Sequence, residues 1–273
     1  MQNLKDRVAF ITGGANGIGY AMAASFARAG MRLALADKDE GALDRAVGRL
    51  AETGAAVMGV KIDVTDRDAM EVAAASVESS FGAVHVLCNN AGIGAATPVE
   101  LTTPQEWDAT IAINVTAIYN GLRAFLPRIL RHGEGGHIVN TASMAGLVPT
   151  SGMAAYSASK FAVVGLTETL HQELRPRGIG VTLLCPGFVR TGLMDSSRRE
   201  TGDAPPDPGR DAAQARIDRA IAGGIEAEAV GEMVLAAIRE DRLYLPTTAK
   251  YRELIEGRLR AILAALDALP PGQ

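Results

Sequence analysis

The chain has 273 residues, a length that at about 150 residues per domain allows one large domain or two small ones. Its 27 basic and 31 acidic side chains leave a net charge of −4, too mild and too acidic for a protein that grips a nucleic-acid backbone. Hydrophobic residues at 48% and charged residues at 21% exclude an intrinsically disordered chain, while the 30 glycines, roughly 11% against an average near 7%, call for an explanation in backbone geometry.

Hydrophobic periodicity predicts a strand over residues 8–12 and a helix over 18–29 that Gly30 stops. A strand follows at 32–36, then a helix at 40–52 with Gly54 beyond it. The next pairs are a strand at 56–62 with a helix at 66–81 ended by Gly82, and a strand at 84–88 with a long helical stretch at 104–131. Pro127 is expected to kink or end that stretch. Gly133, Gly135 and Gly136 then turn the chain into a strand at 137–142. A helix at 154–175, a strand at 180–185, a helix at 227–239, a short strand at 243–245 and a final helix at 249–266 complete the pattern.

Strands alternating with helices of this length imply βαβ units, hence an α/β fold: one doubly wound domain over residues 1–273, about seven parallel strands, helices on both faces. Two segments stand apart. Residues 195–218 are rich in charge, Pro and Gly, including Ala204-Pro205-Pro206-Asp207-Pro208-Gly209. Loops of that length are functional or disordered, so residues 192–225 are expected to form a substrate lid, with disorder or a plain insertion as the alternative. Residues 247–273 are a C-terminal helix and tail. Apolar positions Leu254, Ile255, Leu259, Ile262 and Leu263 suit that helix to packing on the core or on a subunit neighbour.

The first strand runs into Thr12-Gly13-Gly14-Ala15-Asn16-Gly17-Ile18-Gly19. A lone glycine pattern says little, but here a strand precedes it and a helix follows. Glycine permits positive φ and close approach of backbone N–H groups to a pyrophosphate, and the helix N-terminus adds partial positive charge. Asp37 closes the second strand, where a carboxylate accepts hydrogen bonds from adenosine ribose hydroxyls and repels a 2′-phosphate. Asn16 offers that phosphate no charge, and Lys38 blurs the argument only slightly. The expected cofactor is NAD, with NADP less favoured.

The spacing of Gly13 and Gly17 resembles the short-chain dehydrogenase/reductase family, and further motifs extend the resemblance over about residues 5–192. These are Asn89-Asn90-Ala91-Gly92, Asn114, Ser143, Tyr156-Ser157-Ala158-Ser159-Lys160, Pro186-Gly187 and Thr191, in the family's order. The resemblance implies a Rossmann-type fold and an NAD(P)-dependent alcohol dehydrogenase or ketone reductase. Tyr156 and Lys160 lie four apart, on one helix face. Alone such a pair is an ordinary surface pair. In this setting a nearby ammonium and the positive nicotinamide would lower a phenol pKa that is normally near 10, as a general acid–base requires.

By resemblance, Tyr156 exchanges the substrate's hydroxyl proton, Lys160 lowers its pKa and holds the nicotinamide ribose, and Ser143 hydrogen-bonds the substrate oxygen. Asn114 holds a water that relays protons to Lys160; without the context it would read as a buried amide. Cofactor contacts are assigned to Gly13, Asn16, Gly17, Ile18, Gly19, Asp37, Asp63, Val64, Asn90, Ala91, Gly92, Tyr156, Lys160, Pro186, Gly187 and Thr191. Asp63 faces the adenine in this scheme, with a loop or helix-cap acid as the alternative, although Asp66 is the better cap.

The chain departs from the family's pattern at Ala142, where a serine is common, and at His85, where an aspartate is common; His85 is read as structural. His132, His137 and His171 have no ligand-like grouping in sequence, so no metal site is expected. Cys88 and Cys185 are too few for a disulfide framework and read as buried small hydrophobes. There is no 18-residue apolar run and no secretory signal before residue 8, so the expected location is the cytoplasm, without membrane or nucleic-acid partners. Small apolar residues in 93–97, 145–153 and 188–194 suggest an uncharged, rather apolar secondary alcohol or ketone. The alternatives are an NADPH-dependent carbonyl reductase of the 3-oxoacyl type and, from another class, a non-catalytic NAD-binding sensor or scaffold. The resemblance also implies a homotetramer or homodimer built on the two long helices.

Overall fold

In the computed structural model, which describes residues 1–201 and 207–270, strands and helices alternate along the chain. The first half runs β1 (Val8–Thr12), α1 (Gly17–Arg28), β2 (Arg32–Asp37), α2 (Glu40–Ala51), β3 (Val57–Lys61), α3 (Arg67–Phe81) and β4 (Val86–Asn89). Then come α4 (Pro104–Ile111), α5 (Ala117–His132), β5 (Gly136–Thr141), α6 (Ala154–Leu174) and β6 (Ile179–Cys185). The remainder is β7 (Val189–Arg190), α7 (Leu193–Thr201), α8 (Pro208–Ala222), β8 (Ile225–Glu226), α9 (Ala227–Glu240), β9 (Tyr244–Pro246) and α10 (Arg252–Asp267).

Seven strands form a parallel sheet in the order β3-β2-β1-β4-β5-β6-β9. The chain starts at the centre, builds outward to β3, and returns to lay β4 on the other side of β1. That reversal is a topological switch point, where open α/β sheets form a crevice at the carboxyl ends of the strands. Ile11 of β1 pairs with Leu35 of β2 and Cys88 of β4, so the loops leaving these three strands begin side by side.

Every residue of β1 is buried, as a strand covered on both faces must be. Side chains alternate: Val8 and Phe10 enter the core under α3, α5 and α6, while Ala9 and Ile11 enter the core under α1, α2 and α9. The Phe10 and Phe125 rings pack with centroids 4.2 Å apart. Among the described residues, no helix is long and apolar enough to cross a membrane.

The structure refines the sequence reading in four places. The stretch 104–131 is helical throughout, as expected, but a π turn at Ala112–Thr116 lies between α4 and α5. Pro127 does not end α5, which runs on to His132; the buried Phe125 and Ile129 hold the turns on either side of it. Residues 195–218 are largely helical, with Asp207 capping α8 through the amides of Gly209 and Arg210 and Pro208 in the first turn, where its missing N–H costs nothing. The Pro-rich run at 202–206 and the tail at 271–273 lie outside the described residues. Finally, α10 touches the core through the partly buried Ile255, while Leu259, Ile262, Leu263 and Leu266 are exposed in the single chain.

Candidate active site

Between β1 and α1, Gly13 (φ +62°) and Gly17 (φ +52°) take left-handed conformations that side chains disfavour. A Cβ on Gly13 would also lie 3.0 Å from the Ala91 Cα. The two loops are stitched together by Thr12, whose Oγ1 accepts the amides of Asn90 (2.9 Å) and Ala91 (3.0 Å). Asn90 returns a bond from Nδ2 to the Thr12 carbonyl at 3.1 Å, so its side chain is committed to the loop. Asn16 caps α1 by position but makes no side-chain cap bond among the described residues, which leaves the first-turn amides of α1 facing the cleft. A glycine cradle with unspent amides suits a pyrophosphate.

Asp37 stands at the edge of this cradle. Its Oδ2 accepts the Ala15 amide at 3.2 Å and its Oδ1 the Asp39 amide at 3.1 Å. Asp63 and Val64 line the same cleft. Asp66, not Asp63, caps α3, through the Ala69 amide at 2.9 Å. Asp63 instead accepts the Thr65 amide (2.8 Å) and hydroxyl (2.7 Å). Burial pushes the Asp63 carboxyl up, but those bonds and the Lys38 ammonium outweigh it and hold the group below its ordinary value.

On the other side of the switch point, Ser143 follows β5, and α6 presents Tyr156 and Lys160, both buried. Ser143 Oγ accepts the Ala145 amide at 3.1 Å, and the hydroxyl lies close enough to the phenol to affect its ionisation. Lys160 Nζ donates to the Thr141 carbonyl at 3.0 Å and lies 5.5 Å from the centroid of the Tyr156 ring. Burial pushes the ammonium down to about 8.

Burial also raises the phenol above its ordinary value, with Ser143 pulling the other way. The expectation that Lys160 together with the positive nicotinamide lowers this pKa concerns the cofactor-bound site; in the chain by itself the balance runs the other way. The ammonium sits over the ring face with a donor spent on Thr141, and in the protein's own field desolvation wins.

Asn114 lies in the π turn and is fully buried. Its Oδ1 accepts the Ile93 amide (2.8 Å), and its Nδ2 donates to the Ile93 carbonyl (2.9 Å) and to Ser159 Oγ (3.1 Å). The side chain is therefore a structural clamp between the β4 loop and α6. Gly92 passes between it and Lys160: a Cβ there would lie 3.1 Å from Asn114 Oδ1 and 3.5 Å from Lys160 Nζ. Pro186 O accepts the Met144 amide at 2.9 Å, Gly187 donates to Thr247 Oγ1 at 3.0 Å, and the Thr191 side chain packs over Gly17.

These residues surround one cleft of about 1160 Å³. Around Tyr156 it is lined by Ala145, Met153, Met194, Ile217 and Ile221, which form one apolar cluster with Ala95 and Ala96. Helix α7 supplies Met194, within the stretch 188–194 expected to wall the pocket, and α8 supplies Ile217 and Ile221, which the sequence marked only by composition. Ser197 accepts the Gly94 amide at 2.7 Å, Arg210 donates to the Leu101 carbonyl at 2.7 Å, and Glu200 forms an ion pair with Lys38. None of these three contacts has a local sequence signal.

The fold also gathers His85, His132 and Glu134, whose ligand atoms lie within 4.8 Å of one another, although the sequence gave the histidines no grouping. Their lone pairs are committed. His85 Nδ1 accepts the Val8 amide (3.1 Å), and its Nε2 is in contact with Arg7 Nη1 (2.7 Å) and Glu134 Oε2 (3.3 Å). His132 Nδ1 accepts the Glu134 amide (3.1 Å), and its Nε2 donates to the Val84 carbonyl (2.9 Å). Arg7 adds its charge at Glu134. The cluster is a polar staple between β1, β4 and the end of α5.

A seven-stranded parallel sheet with a glycine phosphate cradle and a Ser, Tyr and Lys set at its switch point defines a Rossmann-type oxidoreductase. A sequence model described as short chain dehydrogenase matches residues 7–202, and the chain belongs to that family. It is 32% identical to the C alpha-dehydrogenase of Sphingobium sp. strain SYK-6, over 100% of this chain and 91% of that protein. It is 33% identical to the 1-deoxy-11-beta-hydroxypentalenate dehydrogenase of Streptomyces exfoliatus, over 98% of this chain and 93% of that one. Among solved structures, a short chain dehydrogenase/reductase from Burkholderia phymatum in complex with NAD superimposes with a TM-score of 0.93, at 39% identity, covering 100% of this chain and 99% of the other.

Proposed function

We propose that the protein transfers a hydride between NAD(H) and an uncharged, rather apolar secondary alcohol or ketone. The observation that carries this reading is the convergence of the Ser143 and Tyr156 hydroxyls and Lys160 at the floor of a cleft whose substrate end is otherwise apolar. The cradle of Gly13, Gly17 and the α1 amides suits a dinucleotide pyrophosphate, and Asp37 with Asn16 favours NAD over NADP. The NAD complex of the Burkholderia phymatum protein and the dehydrogenase names of the two relatives point the same way.

When bound, the nicotinamide supplies the hydride-accepting and hydride-donating carbon. The chain's own residues handle the proton. Tyr156 donates its phenolic proton to the carbonyl oxygen in reduction and takes the hydroxyl proton in oxidation. Ser143, with Oγ already accepting from Ala145, keeps its O–H for the substrate oxygen and steadies charge there. Lys160 supplies positive charge beneath the phenol and a donor for the nicotinamide ribose. Asn114 positions the Ile93 backbone and α6, and a relay water would meet its remaining lone pair or its backbone.

Residues 192–225 act as the substrate lid in this reading, with Met194 and Ile217 excluding water. The exposed Trp107 and Tyr119 on α4 and α5 suit these helices to a homodimeric or homotetrameric interface. The decisive test is a panel of secondary alcohols and ketones with NAD(H), followed by the absorbance of the reduced cofactor. Turnover of apolar members supports the reading; turnover confined to NADPH and 3-oxoacyl thioesters replaces it with the carbonyl-reductase alternative.

A further inference from the structure

Lys38 follows Asp37 directly, at the rim where the adenosine ribose would lie. An ammonium there is the natural partner for a 2′-phosphate, and it opposes the discrimination that Asp37 would otherwise give. In this structure the charge is already engaged. Glu200, near the end of lid helix α7, pairs with Lys38 across the cleft. The Glu200 side chain is only 18% exposed, so the carboxylate is enclosed rather than dangling.

The position of Glu200 follows from how α7 is docked. Met194, Ser197 and Glu200 recur at three-residue spacing, which places them along one face of the helix. Met194 packs against Gly94, where a Cβ would lie 2.8 Å from its sulfur, and Ser197 accepts the Gly94 amide. The helix therefore runs along the cleft from the substrate end toward the adenosine end and delivers Glu200 to Lys38. Asp63 also feels the Lys38 charge. The Lys38 ammonium is thus paired with Glu200, its charge reaches Asp63, and Asp37 precedes it at the end of β2. Two other cations line the rim from α2: Arg49, whose guanidinium lies 4.2 Å over the Tyr20 ring, and Arg45, beside Gly41.

We infer that Glu200 is a specificity-determining residue for the cofactor: a lid carboxylate that occupies Lys38 and adds negative charge where the 2′-phosphate of NADP would sit. This rests on the proposed NAD(H) reading and deepens it. Asp37 discriminates from the fixed sheet, and Glu200 does so from the lid, so the second element of discrimination arrives only when α7 is docked.

The test is the ratio of NADPH to NADH dissociation constants, measured by titrating the fluorescence of the bound reduced cofactor without substrate. In Glu200→Gln the charge is lost with little change of shape, and the ratio is expected to fall about fivefold, through tighter NADPH. The double variant Glu200→Gln with Lys38→Met is expected to lose that gain, because the freed ammonium is its source. An unchanged ratio in Glu200→Gln overturns the inference. So does a full gain that survives Lys38→Met, which would assign the effect to Arg45 or Arg49. Equal tightening of both cofactors overturns it too, since that reports a looser lid rather than discrimination. A parent protein that binds neither reduced cofactor refutes the underlying reading and is distinguished from these outcomes before any variant is made.

Discussion

The floor of the cleft and helices α7 and α8, the proposed lid, face the same cleft but are held by different means. On the floor, functional groups are buried and multiply bonded: Thr12 takes two backbone amides, Asn114 makes three hydrogen bonds, and Lys160 is locked to Thr141. In the lid, helices α7 and α8 bury only Met194, Ser197, Ala213 and Ile217 among their described residues, and they dock through a few polar contacts. Regions with little buried apolar area and few buried bonds open at the lowest free energy. Under the proposed function, this division would put the chemistry where geometry is hardest to disturb, and access and selectivity where opening is easiest.

If that division holds, substitutions on the floor strike turnover or folding, and those in the lid strike affinity. The largest effect is expected from Tyr156→Phe, which removes one hydroxyl from a packed site. It should lower kcat by about 10²–10⁴-fold while NADH binding, followed by fluorescence, persists. Substantial residual turnover would break the assignment of the proton to the floor.

The pH profile comes next. Because burial holds the phenol above its ordinary value, the ionised form needed for oxidation is scarce at neutral pH. Alcohol oxidation should rise with pH by up to about tenfold per unit, whereas ketone reduction, which uses the protonated phenol, should stay flat and then decline. The Lys160 ammonium, pushed down to about 8, loses its charge in the same range, so the rise should bend there. Oxidation that peaks below pH 7 would contradict this.

Asn114→Ala sharpens the structural side of the comparison. It strands the Ile93 amide and carbonyl inside the protein, at about 1–3 kcal/mol for each buried group left without a partner. Thermal unfolding should shift down by several degrees and kcat should fall with it. Ser197→Ala should do less. Losing one lid contact is expected to cost about 1 kcal/mol of docking, seen as a few-fold rise in KM with kcat and the melting temperature nearly unchanged. A melting shift as large as that of Asn114→Ala would mean that the lid belongs to the cooperative core.

Much of the floor could be read from the sequence, because its signals are local. The alternation of strand and helix, the glycines after β1, and the i, i+4 spacing of Tyr156 and Lys160 each follow from a few consecutive residues. What the sequence concealed depended on distant partners. Asp66 was expected to cap α3 and does, but the bonds that Asp63 makes to Thr65 were visible only in the fold. The lid's composition, with Pro and Gly among its charges, masked two helices whose few apolar residues have value only against Ala95, Ala145 and Tyr156.

The sequence by itself therefore determined the fold class, the glycine turn after β1 and the candidates proposed to handle the proton, since backbone geometry and helix periodicity are short-range constraints. Only the tertiary structure decided the π turn that buries Asn114, the course of α7 from Gly94 to Lys38, and the staple of His85, His132 and Glu134. It also decided the sign of the phenol's shift. A lysine four residues away argues for a lower pKa, but how much water the fold removes from Tyr156 sets the outcome, and desolvation is a property of the packed whole.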